Sequence, residues 1–330
     1  MGSNPIAASI FPYPPDDGTG RHAVYRRVHF EICGICNGRC PWCATGRRVE
    51  KSGTVLPVET FARAIDALLD REVIAPDACV HLYSWGEPLL HPELARILGF
   101  LRDTELHCAI STNASRAVLF DEPRLLEHLD RLSFSMPGFS QASYDRIHGF
   151  RFDTVTDNIT RLVESCRQSG FTGIAEILFH LYRFNLDEVA PAAAFACSLD
   201  MHFLPFAAFL AGYDLMKGYL TGSMPDVEMK RASAELLLSD VAERAKAAPR
   251  DYVCPQYDIL SVDERCNVLT CCALQSSHAC YSVGSLFDLS ADEIDRRRRR
   301  QPVCRECLDL GIPWLFHNPV GLDEARARYR

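Results

Sequence analysis

The 330-residue chain lacks the features that send a protein into a membrane, out of the cell or onto nucleic acid. No stretch approaches the ~18 uninterrupted apolar residues of a membrane span. Residues Met1–Asp17 have neither the basic start nor the apolar centre of a signal peptide. Ile6 stands where a myristoylation signal needs Ser or Thr. Lys and Arg number 35 against 43 Asp and Glu, a net charge of −8, which argues against a phosphate-binding face as the chain's main business. No internal repeat is visible, and the one low-complexity run is Arg296–Arg300. These absences predict a soluble, cytoplasmic protein with no nucleic-acid or membrane partner. A hydrophobic content of 48% is ample for a packed core. What the chain has in excess is cysteine, 15 in all, and in a reducing compartment that means metal or redox work rather than disulfides.

Three of these cysteines stand in the run Cys36-Asn37-Gly38-Arg39-Cys40-Pro41-Trp42-Cys43. The spacing puts three thiolates on one tight loop and supplies no fourth. A structural zinc site closes its sphere with four protein ligands. A four-iron cluster held by three thiolates keeps one iron open to an outside ligand. Cys33 makes a C-x2-C pair with Cys36, but no partner pair stands nearby, and it is left as a non-ligand.

The surrounding pattern places this loop. Strand-like runs at Val28–Ile32, Cys79–Trp85, His107–Ser111, Arg131–Met136, Ile174–Phe184 and His202–Phe206 alternate with helical stretches. Those helices are expected at Pro57–Leu69, Glu93–Leu101, Leu125–Leu129, Val155–Ser169 and Asn185–Cys197. Such alternation predicts an α/β fold with a parallel sheet and crossover helices. Functional groups then gather at the carboxyl ends of the strands, where the cysteine loop falls. On the fifth strand Glu176, Leu178, His180 and Tyr182 share one face. That mostly polar row suits a polar substrate, and makes Glu176, His180 and Tyr182 candidate catalytic bases.

The cysteine loop resembles that of the radical S-adenosylmethionine (radical SAM) enzymes, and the six strand–helix units resemble their partial (β/α)6 TIM-like barrel. The resemblance implies a barrel over residues 25–211 after an irregular lead-in, 1–24. It implies a four-iron cluster on Cys36, Cys40 and Cys43, whose open iron chelates SAM and whose electron cleaves it to a 5′-deoxyadenosyl radical. It sets Trp42 beside the SAM adenine. The run Ser84-Trp85-Gly86-Glu87-Pro88 resembles the family's Gly-Gly-Glu-Pro motif, which holds the SAM ammonium, with Trp85 in place of the first glycine. Gly86 and Glu87 keep the rest of that motif. Ser111 and Asn113 match a polar pair near the SAM ribose and carboxylate, for which an Asx-turn is the plainer alternative. Ser133 and Ser135 point one way from the fourth strand, toward SAM, and Arg183 matches a contact to its carboxylate.

Further on, a linker with one helix, Val227–Ala247, is expected within 212–250, then a small domain over 251–317 and a tail over 318–330. The segment Val262–Cys271 resembles the β-hairpin of twitch and SPASM auxiliary domains, with Cys266 where their glycine usually stands. Ser290 and Glu293 form a capping box for a following helix. Cys254, Cys271, Cys304 and Cys307 are the implied ligands of a second, auxiliary four-iron cluster. Adjacent Cys272 is the alternative to Cys271, and a zinc ribbon is the alternative to the cluster. Pro313 and His317 occupy the places where a full SPASM domain adds two more cysteines, so one auxiliary cluster is expected. Arg296–Arg300 read as the solvated end of a helix.

The resemblance implies hydrogen abstraction from a small polar substrate of sugar, aminocyclitol or nucleoside type in antibiotic biosynthesis. Peptide-modifying relatives carry an N-terminal leader-binding domain, which about 24 irregular residues do not make. Oxidation of C–OH to C=O is the favoured outcome, with a flavodoxin or ferredoxin as electron donor. The alternatives are an epimerase using a thiol hydrogen donor (Cys266, Cys272 or Cys280), a decarboxylase of a sugar acid, a peptide-modifying enzyme and a non-catalytic zinc protein.

Overall fold

The structure, a computed structural model, describes residues 24–47, 52–275 and 279–329. Nearly all of the expected lead-in, residues 1–23, lies outside the described residues.

Six strands run in parallel and in sequence order: β1 (Tyr25–Phe30), β2 (Ile74–His81), β3 (His107–Thr112), β4 (Leu129–Met136), β5 (Ile174–Leu181) and β6 (His202–Ala207). Parallel neighbours need crossovers, and the helices supply them. They are α1 (Val58–Asp70), α2 (Leu94–Asp103), α3 (Gln141–Arg146), α4 (Phe152–Gln168) and α5 (Val189–Ser198). In α1 the spacing of Phe61, Ala64, Ile65 and Leu68 forms one buried stripe. Each large member of such a stripe contributes about 1.5–3 kcal/mol by leaving water. The expected α/β arrangement is therefore present.

Local departures have local causes. No helix forms at Leu125–Leu129; the Leu126 amide bonds instead to the Ser169 carbonyl beyond α4, and β4 already begins at Leu129. The second strand starts five residues earlier than expected and ends at His81. Residues 84–88 lie in the loop beyond it because the Trp85 and Gly86 amides turn away to the Glu31 carboxylate.

The segment expected as a linker is packed structure. It forms α6 (Tyr213–Leu220), α7 (Asp226–Glu235) and α8 (Val241–Lys246). The single helix expected over 227–247 is broken because Leu236, Leu237 and Leu238 are all buried. A helix buries one stripe, so three consecutive buried side chains require extended chain. Arg183 fixes the break: its amide donates to the Glu235 carbonyl and its Nε to that of Leu236. These helices share an apolar cluster with Trp42, Tyr182, Leu210, Leu274, Ile312 and Leu315.

The C-terminal hairpin joins the main sheet. Strand β7 (Ile259–Val262) pairs in parallel with β1, and β8 (Asn267–Leu269) and β9 (Ser282–Ser285) follow antiparallel, giving nine strands in the order β6-β5-β4-β3-β2-β1-β7-β8-β9. Helices α9 (Ala291–Arg299), α10 (Pro302–Asp309) and α11 (Ile312–His317) come next, α9 with the expected Ser290–Glu293 capping box. Helix α12 (Leu322–Tyr329) lies against β6, whose Ala207 amide donates to the Val320 carbonyl.

Candidate cluster sites

The cysteine loop leaves β1 at the carboxyl end of the sheet and has almost no regular structure of its own, so its shape comes from its neighbours. Glu31, at the end of β1, is buried and accepts the amides of Gly86 (2.7 Å), Trp85 and Cys33 (3.4 Å). The Glu87 amide in turn donates to the Ile35 carbonyl at 2.8 Å. Gly86 is required here: a Cβ at that position would stand 1.6 Å from the Cys33 carbonyl oxygen. The Arg39 amide donates to the His148 carbonyl and the Ala211 amide to that of Trp42, which hold the rest of the loop. Within it, a Cβ on Gly38 would lie 3.5 Å from the Cys40 sulfur and 3.6 Å from that of Cys36. Those two thiols therefore flank the glycine, and the Asn113 amide stands 3.8 Å from the Cys36 sulfur. Cys33 lies in the apolar core, where burial pushes its thiol up to about 11.

Glu87 is fully engaged. One carboxylate oxygen accepts from the Thr112 hydroxyl (2.6 Å) and the Leu89 amide (3.1 Å), the other from the Asn113 amide (2.8 Å). It thus ties the loop after β2 to the end of β3. Burial pushes both Glu87 and Glu31 up to about 7, against these hydrogen bonds, which pull the other way. Glu31 is the group the sequence reading missed. Its only signal is a carboxylate inside an apolar strand, at Phe30-Glu31-Ile32.

The remaining side chains at the barrel mouth divide into engaged and open. Glu176 accepts from Arg131 at 2.6 Å and from the Ser133 hydroxyl at 2.7 Å, which occupies both of its oxygens. The hydroxyls of Ser111 and Ser135, both half-buried, make no hydrogen bond among the described residues. The same holds for the His180 ring, which packs edge-on against Phe206 and is held near pKa 4 by burial. Tyr182 stacks on Phe184 at 4.9 Å, and burial, with Cys40, Glu235 and Cys43 as neighbours, pushes its phenol far up. The Trp42 ring is buried in the second apolar cluster, donates to Glu235 at 3.1 Å and lies under the Arg231 guanidinium. Arg183 spends its Nε on the Leu236 carbonyl.

The second set of cysteines comes from three separate stretches of chain. Cys254 precedes a short turn into β7, Cys271 follows β8, and Cys304 and Cys307 lie one turn apart on α10. All four line a single pocket with Tyr213, Tyr257 and Leu274. Cys272 is not among the residues that line this pocket, and its thiol donates to the Gln256 side chain at 3.0 Å. Cys266 sits in the hairpin turn at φ +62°, a backbone position that favours glycine, and its thiol is buried in the main apolar core. It is not brought together with Glu176, His180 and Tyr182. Cys280 is exposed.

Arg298 departs from the expected solvated run. It falls four residues after the buried Ile294, on the inner face of α9, and is itself buried. There it donates to the carbonyls of Gln256 (2.8 Å), Ile259 (2.6 Å) and Thr270 (3.1 Å), clamping the stretches that carry Cys254 and Cys271.

Residues 30–196, about half of the chain, match the Radical SAM superfamily. The chain belongs to the radical SAM superfamily. It is 27% identical over 236 residues to a PqqA peptide cyclase of Gluconobacter oxydans, covering 69% of this chain and 60% of that protein. The chain thus spans less than two thirds of that relative's length. Among solved structures it is similar to Streptococcus suis SuiB bound to precursor peptide SuiA, with a TM-score of 0.56 and 13% identity over 88% of this chain and 70% of that one. It is also similar to anSMEcpe with bound AdoMet and Cp18Cys peptide, with a TM-score of 0.53 and 13% identity over 83% and 81% of the two chains. At that identity these two structures show the shared fold alone. Radical SAM membership implies SAM and a four-iron cluster, and the donor chemistry of the loop fits: three thiols, with no fourth protein ligand in the motif. Among the described residues no three His, Cys, Asp or Glu side chains are grouped so as to hold one metal ion. No described helix is long and apolar enough to cross a membrane.

Proposed function

We propose that this chain cleaves SAM reductively and uses the resulting radical to oxidise C–OH to C=O on a small polar substrate of sugar, aminocyclitol or nucleoside type. The observation that carries the first step is the three-thiol loop, pinned by Glu31 and Gly86, whose motif supplies no fourth protein ligand. Cys36, Cys40 and Cys43 would hold the cluster; when bound, it supplies the electron that splits SAM into methionine and a 5′-deoxyadenosyl radical.

The chain's own side chains then bind and orient. Ser111 and Ser135 have hydroxyls to spare for SAM, and Asn113 stands beside Cys36. Gly86 lets the loop backbone close against the cysteine segment, while Glu87 sets its shape from below. With both Glu176 oxygens occupied, His180 is the side chain left to accept the substrate's hydroxyl proton, since its ring makes no hydrogen bond among the described residues. Glu176 and Ser133 then position the wall, and Tyr182 closes it beside Cys40. Cys254, Cys271, Cys304 and Cys307 would hold a second four-iron cluster, which supplies an acceptor for the electron that leaves the substrate.

A second reading has support of its own: the Gluconobacter relative is named a PqqA peptide cyclase, and the SuiB structure holds a precursor peptide. It keeps the same radical and replaces the small molecule by a peptide. Mass spectrometry after anaerobic incubation with SAM, dithionite and either an aminocyclitol panel or a precursor peptide separates the readings. A small-molecule product lighter by two hydrogens supports the oxidation. An unchanged mass that rises by one unit in heavy water means epimerisation, loss of carbon dioxide means decarboxylation, and turnover of the peptide alone overturns the small-molecule reading.

A further inference from the structure

The chain carries an excess of acid overall, yet one face of the C-terminal unit reverses that sign. Helices α8, α9 and α10 and the stretch leading to Cys254 enclose a groove of about 660 Å³. Five cations line it, Lys246, Arg250, Arg299, Arg300 and Arg305, against one acid, Asp309. Arg299 is paired with Asp295 and lies over the Tyr257 ring, 5.2 Å from its centre. The side chains of the other four have no ion pair or hydrogen bond among the described residues. Like charges left unpaired around one concavity repel each other, so the groove is held at a standing electrostatic cost that an anionic partner relieves.

The floor of the groove tells what kind of partner. Cys304 lines it, and the same Cys304 lines the inner pocket with Cys254, Cys271 and Cys307. Tyr257 likewise lines both spaces. A protein docked on this face therefore lies one side chain from the second cluster site.

We propose that this groove is the docking surface for an acidic one-electron carrier protein of the flavodoxin or ferredoxin class. The proposal rests on the reading that the four inner cysteines hold a second cluster. The electron balance fits that partner. One electron enters to cleave each SAM, and oxidation of the substrate by two hydrogens releases one electron, from the substrate radical, after a hydrogen atom and the hydroxyl proton have gone. An oxidised carrier on this face takes that electron and leaves reduced by one. Cations that stay in water bind weakly and are screened by salt, which suits a partner that must depart after each transfer.

The test titrates the full-length reconstituted protein with oxidised flavodoxin and, separately, a plant-type ferredoxin by calorimetry at low and high salt. Lys246→Glu with Arg250→Glu, and Arg300→Glu with Arg305→Glu, should each weaken Kd by about tenfold or more. Added salt should weaken the unmodified protein in the same sense. Iron content and dithionite-driven SAM cleavage should stay at the unmodified level in both variants. If either pair folds poorly, Arg300→Gln with Arg305→Gln and the salt series on the unmodified chain give the same readout. Carrier binding that ignores the charge reversals and salt overturns the proposal. So does binding of inorganic pyrophosphate or a poly-glutamate peptide in the groove when neither carrier binds. Zinc in place of the second iron cluster would end the electron-transfer role through the metal analysis alone, whatever Kd is measured.

Discussion

The two cysteine sites of this protein are built in opposite ways. At the barrel mouth three thiols come from eight consecutive residues, and the surroundings only have to hold one loop in shape. In the C-terminal unit four thiols come from three stretches spread over residues 254–307, and the tertiary structure has to bring them to one pocket. The first site is fastened by a carboxylate, Glu31, that collects amides from two loops. The second is fastened by a guanidinium, Arg298, that collects carbonyls from three residues. Opposite charges do the same work because one site gathers orphan donors and the other orphan acceptors. A local site tolerates change far away in the sequence, whereas an assembled site depends on every segment that feeds it.

The largest expected effect separates the sites outright. Replacing Cys36, Cys40 and Cys43 together by Ala should lower iron from about eight to about four per chain and abolish SAM cleavage. An unmodified protein with only four irons would remove the second cluster from the comparison. Next, Cys304→Ala or Cys307→Ala should leave dithionite-driven SAM cleavage near the unmodified rate while product formation stops. Full turnover in these variants would reduce the assembled site to a structural one.

The fastenings give intermediate effects. Gly86→Ala drives a Cβ into the Cys33 carbonyl, and should destabilise the fold by about 2–4 kcal/mol with iron lost first from the mouth. Arg298→Met strands three buried carbonyls, at a cost of about 2–3 kcal/mol, with iron lost first from the C-terminal pocket. Thermal unfolding with iron analysis reads both, and equal loss from the two sites in either variant would blur the distinction.

The smallest effect is a pH slope at the mouth. Glu31 and Glu87 sit near pKa 7 in the folded chain against an ordinary value of 4.5, so the folded state keeps protons that the unfolded chain has released. Stability should therefore fall as pH rises from about 4.5 to about 7 and level off above, by up to ~1.4 kcal/mol per pH unit for each carboxyl. Denaturant unfolding from pH 5 to 8 measures it, and Glu87→Gln should flatten part of the slope. An unchanged slope would show that hydrogen bonding from Asn113, Thr112 and Leu89 outweighs burial.

Much of this was legible in the sequence because it rests on short-range pattern. Apolar spacing located α1, α2 and α4 to within a few residues, since a buried helical stripe repeats at fixed intervals. The spacing Cys36, Cys40, Cys43 wrote out a three-thiol loop, and Ser290 with Glu293 wrote out a helix start. Propensity misled where long-range bonds took over: Arg183 breaks the helix expected through Leu236, and Ser169 holds Leu126 out of one. Three things only the tertiary structure decided. It joined β7 to β1, so that the C-terminal hairpin extends the barrel sheet, because the free edge of β1 offers unpaired amides and carbonyls that another strand satisfies. It set Cys271 in the pocket lining and tied the Cys272 thiol to the Gln256 side chain, a placement that adjacent identical residues leave open in any sequence. And it buried one arginine of five in a run, because a helix shows a different face at every residue and the core admits only one of them.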